Sequence, residues 1–274
     1  MNNKVSVWLV RIVIFIGVIF SLFPFYWMIV MASQDTSAIY AVPPKLTFGP
    51  NLIAHIKTVF EQTTFFRSFG NSMFVATTTM ILILFFDSLA GFAFAKLKFK
   101  GKNFLFVFLL GTMMIPGQLN IIPQFLMMDK IGWIGSYKAL IIPSMANAFG
   151  IFWIKQYAED AIPDSIIESA RMDGCSTFRV YWNIALPILK PAMAFLAIYS
   201  FMGSWNDYMW PLIVLNDESK YTLMLALTQL QGLYYTDYSL VITGSLLATL
   251  PLLVVFAFFS KQMMAGLTAG AVKE

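Results

Sequence analysis

Apolar and polar positions fall along this chain in long blocks, without the two-residue alternation of strands or the narrow stripe of a surface helix. Six apolar runs are long enough to cross a bilayer as helices. They are Val7–Ala32, Phe69–Ala95, Phe104–Met128, Ser136–Tyr157, Ile188–Leu215 and Leu240–Ser260. The first exceeds a signal-peptide core of about 7–15 residues and carries no small-x-small cleavage site, so it reads as a retained span. Arg11 lies about one turn inside it, within snorkelling reach of the headgroups. Several runs are interrupted: by Pro116, Gly117 and Pro123 in the third, Pro143 and Gly150 in the fourth, Gly203 and Pro211 in the fifth, and Pro251 in the sixth. Broken backbone at membrane depth persists only where protein or a water-filled cavity satisfies the freed groups. Breaks in several spans together point to a translocation path.

Composition agrees with the pattern. Of 274 residues, 59% are apolar and 12% charged, against about 45–50% and about 25% in soluble domains. So little charge excludes a disordered protein, a nucleic-acid module and an ordinary cytosolic enzyme. The expectation is an all-α integral membrane protein of six transmembrane helices, a single domain over residues 1–274. One cysteine, Cys175, excludes an internal disulfide, and one histidine, His55, excludes a multi-histidine metal site.

Charge then orients the spans. Residues 96–103 hold Lys96, Lys98, Lys100 and Lys102 and no acid, which marks that connection as cytoplasmic. With it inside, 12 of the 18 Lys and Arg residues face inward, Lys4 and Lys273 among them, and six face outward. Both termini are expected in the cytosol, in the inner membrane of a prokaryote. The outer segment Ser33–Ser68 is too small for a binding domain. Asn216–Ser239 carries Leu223, Leu225, Leu227 and Leu230, which suits a short helix on the outer surface.

The longest inner connection, Glu159–Pro191, holds five of the 14 acids. It predicts two short helices. The first follows Pro163, with Ser165 and Glu168 spaced for a capping box and Gly174 as its stop. Ile166 and Ala170 share a face there, with Ile167 beside them. The second begins near Ser176 or Thr177, lines Phe178, Tyr181, Trp182 and Ala185 on one face, and ends at Leu186-Pro187. That aromatic helix suits the inner membrane surface. The first helix, with small residues beside Glu168 and Asp173, is a poor lipid anchor and a better surface for another protein.

Glu168-Ser169-Ala170, then Asp173-Gly174, then Ile184-Ala185-Leu186-Pro187 resemble the E-A-A, G, I-x-L-P loop of permease subunits in binding-protein-dependent ATP-binding-cassette (ABC) importers. Gly174 follows Ala170 by four positions and Ile184 follows Gly174 by ten, as in that loop. Ser169 replaces its first alanine. Trp205-Asn206-Asp207-Tyr208-Met209-Trp210-Pro211-Leu212 looks like the fifth-span signature of the carbohydrate-uptake class. Met114-Ile115-Pro116-Gly117-Gln118, Ala90–Lys96 and Gly266–Lys273 fit the same class, and the whole is similar to the smaller permease of maltose-type systems. The resemblance implies a type I importer permease fold. Residues 159–191 would form the ATPase-docking loop, and Glu168, Ser169, Ala170, Asp173 and Gly174 would couple to the ATPase. It implies as partners a second permease subunit, two ATPase subunits and an external solute-binding protein. The cargo would be a di- or oligosaccharide.

No G-x-x-x-x-G-K-[ST] loop occurs; Gly101-Lys102-Asn103 lacks both the earlier glycine and the following hydroxyl residue. This chain is therefore expected to bind no cofactor, with ATP hydrolysed by partner subunits. No nucleophile–base set is visible, which predicts a non-enzyme subunit. Asp87 and Asp207 lie at membrane depth, where each costs about 2.5–3.5 kcal/mol on insertion scales and must face protein or water. They leave open an alternative, a proton-coupled secondary transporter using the two as relays, which leaves the loop from Glu168 to Pro187 unexplained. Along the substrate path, Trp205, Tyr208 and Trp210 suit stacking on sugar faces or holding spans together. Asn206 and Asp207 suit hydroxyl hydrogen bonds, and Pro116 and Gln118 mark the break in the third span.

Overall fold

A computed structural model describes the backbone of residues 3–232 and 234–269 and the side chains of residues 7–232 and 234–259. Among them all regular structure is helical. In chain order the helices are α1 (Asn3–Ser33), α2 (Thr36–Ile39), α3 (Leu52–Gln62), α4 (Phe65–Lys96), α5 (Lys102–Met113), α6 (Ile121–Lys130), α7 (Lys138–Ile141), α8 (Ala148–Ala161), α9 (Asp164–Met172), α10 (Thr177–Val180), α11 (Leu186–Trp205), α12 (Met209–Val214), α13 (Leu223–Ala226) and α14 (Tyr238–Ala269). Short 3-10 turns occupy Gly117–Asn120, Glu218–Lys220 and Leu227–Leu230, and a π turn occupies Tyr181–Ala185.

The chain divides into two compact units, one of residues up to Phe66 with Ala226–Pro251, the other of Arg67–Leu225 with the residues from Leu252 on. In the first, the apolar side chains of α1 from Val7 to Phe23 are largely exposed, while Val30, Met31 and Ala32 at its end are buried. That end is fastened by polar contacts: Ser33 Oγ donates to Val30 O and accepts from Gly49 N–H, and His55 Nδ1 lies 2.8 Å from Ala32 O. The start of α14 packs so closely on the turn at 227–230 that a Cβ on Gly244 would meet Leu227 at 2.8 Å.

The second unit has a core drawn from α4, α8, the π turn and α11, centred on Phe92, Ile154, Tyr181, Leu189 and Leu196. Gly91 lets α4 and α8 approach: a Cβ there would lie 2.7 Å from Ile154. A smaller cluster joins Val75, Met128, Leu140, Val214 and Leu225.

Among the described residues, four continuous helical stretches are long and apolar enough to span a membrane: Val7–Ser33, Phe65–Lys96, Thr177–Trp205 and Tyr238–Phe259. The third predicted run is a bent pair, α5 and the segment Gly117–Lys130, turning by 94° where Pro116 and Gly117 interrupt it. The fourth, Ser136–Tyr157, is realised as α7, a turn through Pro143, and α8. With 14 residues, α8 rises about 21 Å, less than a bilayer core of about 30 Å. The fifth run departs from expectation at its start. The helix does not end at Leu186-Pro187 but runs from Thr177 through to Trp205. Leu186 N–H donates to Tyr181 O, a five-residue reach. This shift of register precedes Pro187, the residue with no N–H to give, so the helix absorbs the proline.

Candidate functional site

Two places carry the candidate residues, both within the second unit. The first is the segment from Asp164 to Ala185. Helix α9 starts at Asp164, with Pro163 as its extended N-cap and no side-chain cap. The expected capping box of Ser165 and Glu168 is absent because Ser165 already sits inside the first turn. The other end is closed as a Schellman motif: Cys175 N–H donates to Ala170 O and Gly174 N–H to Arg171 O, both at 3.0 Å, with Gly174 at φ +78°. Ser176 caps the next helix, its Oγ accepting from Arg179 N–H.

Ile167 and Ala170 fix α9 to the chain's own core. Ile166 is turned outward, so the apolar face lies one residue on from the one expected. Glu168, Ser169, Arg171, Met172, Asp173 and Gly174 form the exposed side. Of the five residues expected to couple, four are therefore outward and Ala170 is inward. Lys96, whose side chain is nearly buried, reaches Asp164 Oδ1 at 2.9 Å and ties the end of α4 to the start of α9. Its ammonium holds the Asp164 carboxyl below the usual carboxylate range. Tyr181, expected to rest on the membrane surface, is buried, with its hydroxyl 2.7 Å from Ser88 Oγ of α4.

The second place is a cavity of about 610 Å³ walled by α4, the turn before α8, the end of α11 and the break after it, within the range of about 300–1,000 Å³ usual for small-molecule sites. Asn206 and Asp207 line it, from the break between α11 and α12. Asp207 Oδ1 accepts from Trp210 N–H at 3.3 Å. Trp205 does not line it: that ring is buried against Phe69 and Phe201. Trp210 donates its indole N–H to Ala139 O, joining α12 to α7. Pro116 and Gln118 lie exposed at the bend between α5 and α6, and Tyr208 stands outside the cavity lining.

Asp87, fully buried in α4, does not line the cavity but lies behind Asn147, which does. Its Oδ1 accepts from Asn147 N–H and its Oδ2 from Asn147 Nδ2, both at 3.1 Å, while Asn147 Oδ1 accepts from Gly150 N–H at 2.8 Å. The start of α8 has unpaired N–H groups and the positive end of its dipole. Asn147 satisfies one group, and Asp87 in turn holds Asn147 in place through both carboxyl oxygens. The carboxylate fits only because position 150 is glycine: a Cβ there would lie 1.9 Å from Asp87 Oδ2. Sequence reading singled out Asp87 and Gly150 separately and missed Asn147. The available signal was a residue of N-cap type a few positions after Pro143.

The geometry so far defines a helical membrane protein with broken helices around a cavity and an exposed short helix set on its core. A family model for "binding-protein-dependent transport system inner membrane component" matches residues 87–267. The chain is 34% identical to the arabinooligosaccharides transport system permease protein AraQ of Bacillus subtilis, over 92% of this chain and 90% of that protein. It is 34% identical to the lactose transport system permease protein LacG of Rhizobium radiobacter, over 92% and 91%. It is 29% identical to the trehalose/maltose transport system permease protein MalG of Thermococcus litoralis, over 96% and 97%. A chain from the crystal structure of a bacterial ABC transporter involved in import of the acidic polysaccharide alginate shares the fold, with a TM-score of 0.79, 22% identity, and coverage of 95% of this chain and 97% of that one. This chain belongs to the family of binding-protein-dependent transport system inner membrane components, as a multi-pass permease subunit. Of the terminal motif Gly266–Lys273, residues 270–273 lie outside the described residues, as do the side chains of Lys4 and Lys261.

Proposed function

We propose that this chain is one of two permease subunits of an ATP-driven importer that moves a di- or oligosaccharide handed over by an external binding protein. Two ATPase subunits on the cytosolic side hydrolyse the ATP, this chain binds no cofactor, and both termini face the cytosol. The observation that carries this reading is the outward side of α9. Glu168, Ser169, Asp173 and Gly174 are exposed on a helix whose other side is locked to the core by Ile167 and Ala170. Four-lysine charge bias supports a cytosolic setting for that side. Relatives named for arabinooligosaccharides, lactose and trehalose/maltose support the sugar. The proton-coupled alternative finds no support among them.

On this reading the outward side of α9 enters a cleft on an ATPase subunit, and a charge-assisted hydrogen bond from Glu168 contributes about 1.5–3 kcal/mol. Gly174→Asp adds bulk and charge at a left-handed position and displaces Glu168. It should reach the membrane normally, lose ATP-driven uptake and retain less ATPase on purification. Glu168→Ala leaving both uptake and ATPase association at wild-type levels would sink the docking role. Uptake by the purified chain alone, without an ATPase, would sink the importer reading.

A further inference from the structure

Two hydroxyls in the cavity wall stand out chemically. Thr79 of α4 and Thr222, just before α13, are almost fully buried, at 3% and 2% exposure, and their Oγ1 atoms have no hydrogen-bond partner among the described residues. A threonine inside a helix commonly bonds back to the carbonyl four residues earlier, as Thr243 and Thr249 do here. Thr79 does not. Buried polar atoms are nearly always paired, so an exception points to a partner that arrives from outside. Both residues line the same cavity, whose other polar groups include Ser204, Asn206 and Asp207 and whose wall includes the half-exposed ring of Tyr199.

Among the described residues no Lys, Arg or His lines that cavity, and its one carboxyl-bearing side chain is Asp207. Such a lining has neutral donors and acceptors, an aromatic ring and a carboxylate. It offers nothing to neutralise a phosphate or carboxylate. A neutral polyhydroxylated molecule matches it on every count: its hydroxyls both donate and accept, and its C–H faces suit a ring.

We infer that this cavity is a solute-binding site in this chain itself, that Thr79 and Thr222 hydrogen-bond the hydroxyls of a neutral saccharide, and that the site discriminates against anionic solutes. The inference rests on the importer reading and names the solute class within it.

The test uses the assembled importer, with its partner permease, ATPases and binding protein, in proteoliposomes. Lactose, trehalose and an arabinooligosaccharide are the neutral probes, and glycerol 3-phosphate, cargo named for another relative, is the anionic one. Wild type should take up at least one neutral probe and exclude glycerol 3-phosphate. Thr79→Val and Thr222→Val keep the shape and remove only an unpaired hydroxyl, so assembly and thermal stability should be unchanged or slightly improved. Uptake efficiency at limiting sugar should fall about tenfold for each, while the binding protein's own affinity for the sugar is unaltered. Thr79→Ser and Thr222→Ser should restore most of it. Valine variants that assemble and transport like wild type would overturn the site, and so would variants that fail to assemble, since the hydroxyls would then serve packing. Glycerol 3-phosphate uptake by wild type would overturn the discrimination while leaving the importer reading in place. A wild-type complex that moves none of the four would overturn the sugar reading itself, before any variant is compared.

Discussion

Asp87 and Asn147 lie 60 positions apart and meet at the start of α8, which makes their pairing a sharp test of the architecture. Two hydrogen bonds run from Asn147 to the carboxylate, and a third from Gly150 N–H to the Asn147 side chain. Bonds to a charged acceptor are worth about 1.5–3 kcal/mol each, and removing one partner of a buried charged contact costs about 3–5 kcal/mol. Asp87→Ala should therefore destabilise by about 3–5 kcal/mol. Asp87→Asn keeps the bond from Asn147 N–H but sets its amide NH₂ against that of Asn147. If Asn147 flips to avoid this, it abandons Gly150. The loss should be about 1.5–3 kcal/mol. Asn147→Asp alone places two carboxylates face to face and should lose at least as much. The double exchange, Asp87→Asn with Asn147→Asp, rebuilds the set. The new amide at 87 accepts from the backbone N–H of 147 and donates to the new carboxylate there, which still caps Gly150 and keeps a negative charge at the helix start. Detergent-titration unfolding of the four proteins, followed by tryptophan fluorescence, gives the cycle. The double variant should be more stable than the summed losses of the singles predict by at least about 3 kcal/mol. A double variant no better than that sum would refute the hydrogen-bond account.

Gly150→Ala and Gly91→Ala should each destabilise by about 1–3 kcal/mol through overpacking, the first more severely because the clash is with a fixed carboxylate at 1.9 Å; thermal unfolding of the purified complex checks the order. In a Cys175→Ser background, Gly101→Cys should react only with reagents admitted to the cytosol and Asn216→Cys only from outside, and external labelling at 101 in intact cells would invert the topology. The Asp164 carboxyl is held low by Lys96, so whatever their contact contributes is present above the ordinary carboxylate value of about 4 and is lost as pH falls through the lowered one. ATPase retention during purification should therefore not change through this pair between pH 5 and 8, whereas Asp164→Asn should show at neutral pH the loosening that acid causes.

Legibility in the sequence followed the range of each interaction. Long apolar runs need only local composition, so α1, α4 and the start of α14 were readable to within a few residues, whereas α14 runs on to Ala269, past the expected end at Ser260. Breaks at Pro116-Gly117 and Pro143 were readable because a missing N–H acts locally. Pro187 misled for the same reason: the rule that proline ends a helix holds for an α register, and a π turn supplied another one. The direction of α9 was off by one residue because Ile166 and Ile167 are equally apolar, and only the packing of Ile167 and Ala170 on the core chooses between them. Asp87, Asn147 and Gly150 were visible as residue types but not as a set, and in sequence the unpaired hydroxyls of Thr79 and Thr222 look like those of any threonine bonded to nearby backbone.

Helix α4 explains why those separate features belong to one apparatus. It carries Gly91 but no proline, and it runs unbroken for 32 residues in a unit whose other apolar runs are bent, interrupted or shifted in register. Thr79 and Ile83 line the cavity. One turn beyond, Asp87 fixes the start of α8, and Ser88 meets Tyr181 at the π turn. Gly91 lies against Ile154, and Lys96 ends the helix on Asp164, the first residue of α9. Thr79 and Lys96 are separated by about 25 Å at 1.5 Å per residue. A straight helix transmits displacement along its axis, because each turn is bonded to the next, whereas a broken one yields at the break. The discontinuous elements thus supply the exposed polar groups that a solute needs, and the continuous one joins those groups to the surface where an ATPase would push. Each of the four contacts along α4 comes from a different turn or neighbour. A shift of α9 relative to the cavity must therefore break at least one of them or move α4 as a body.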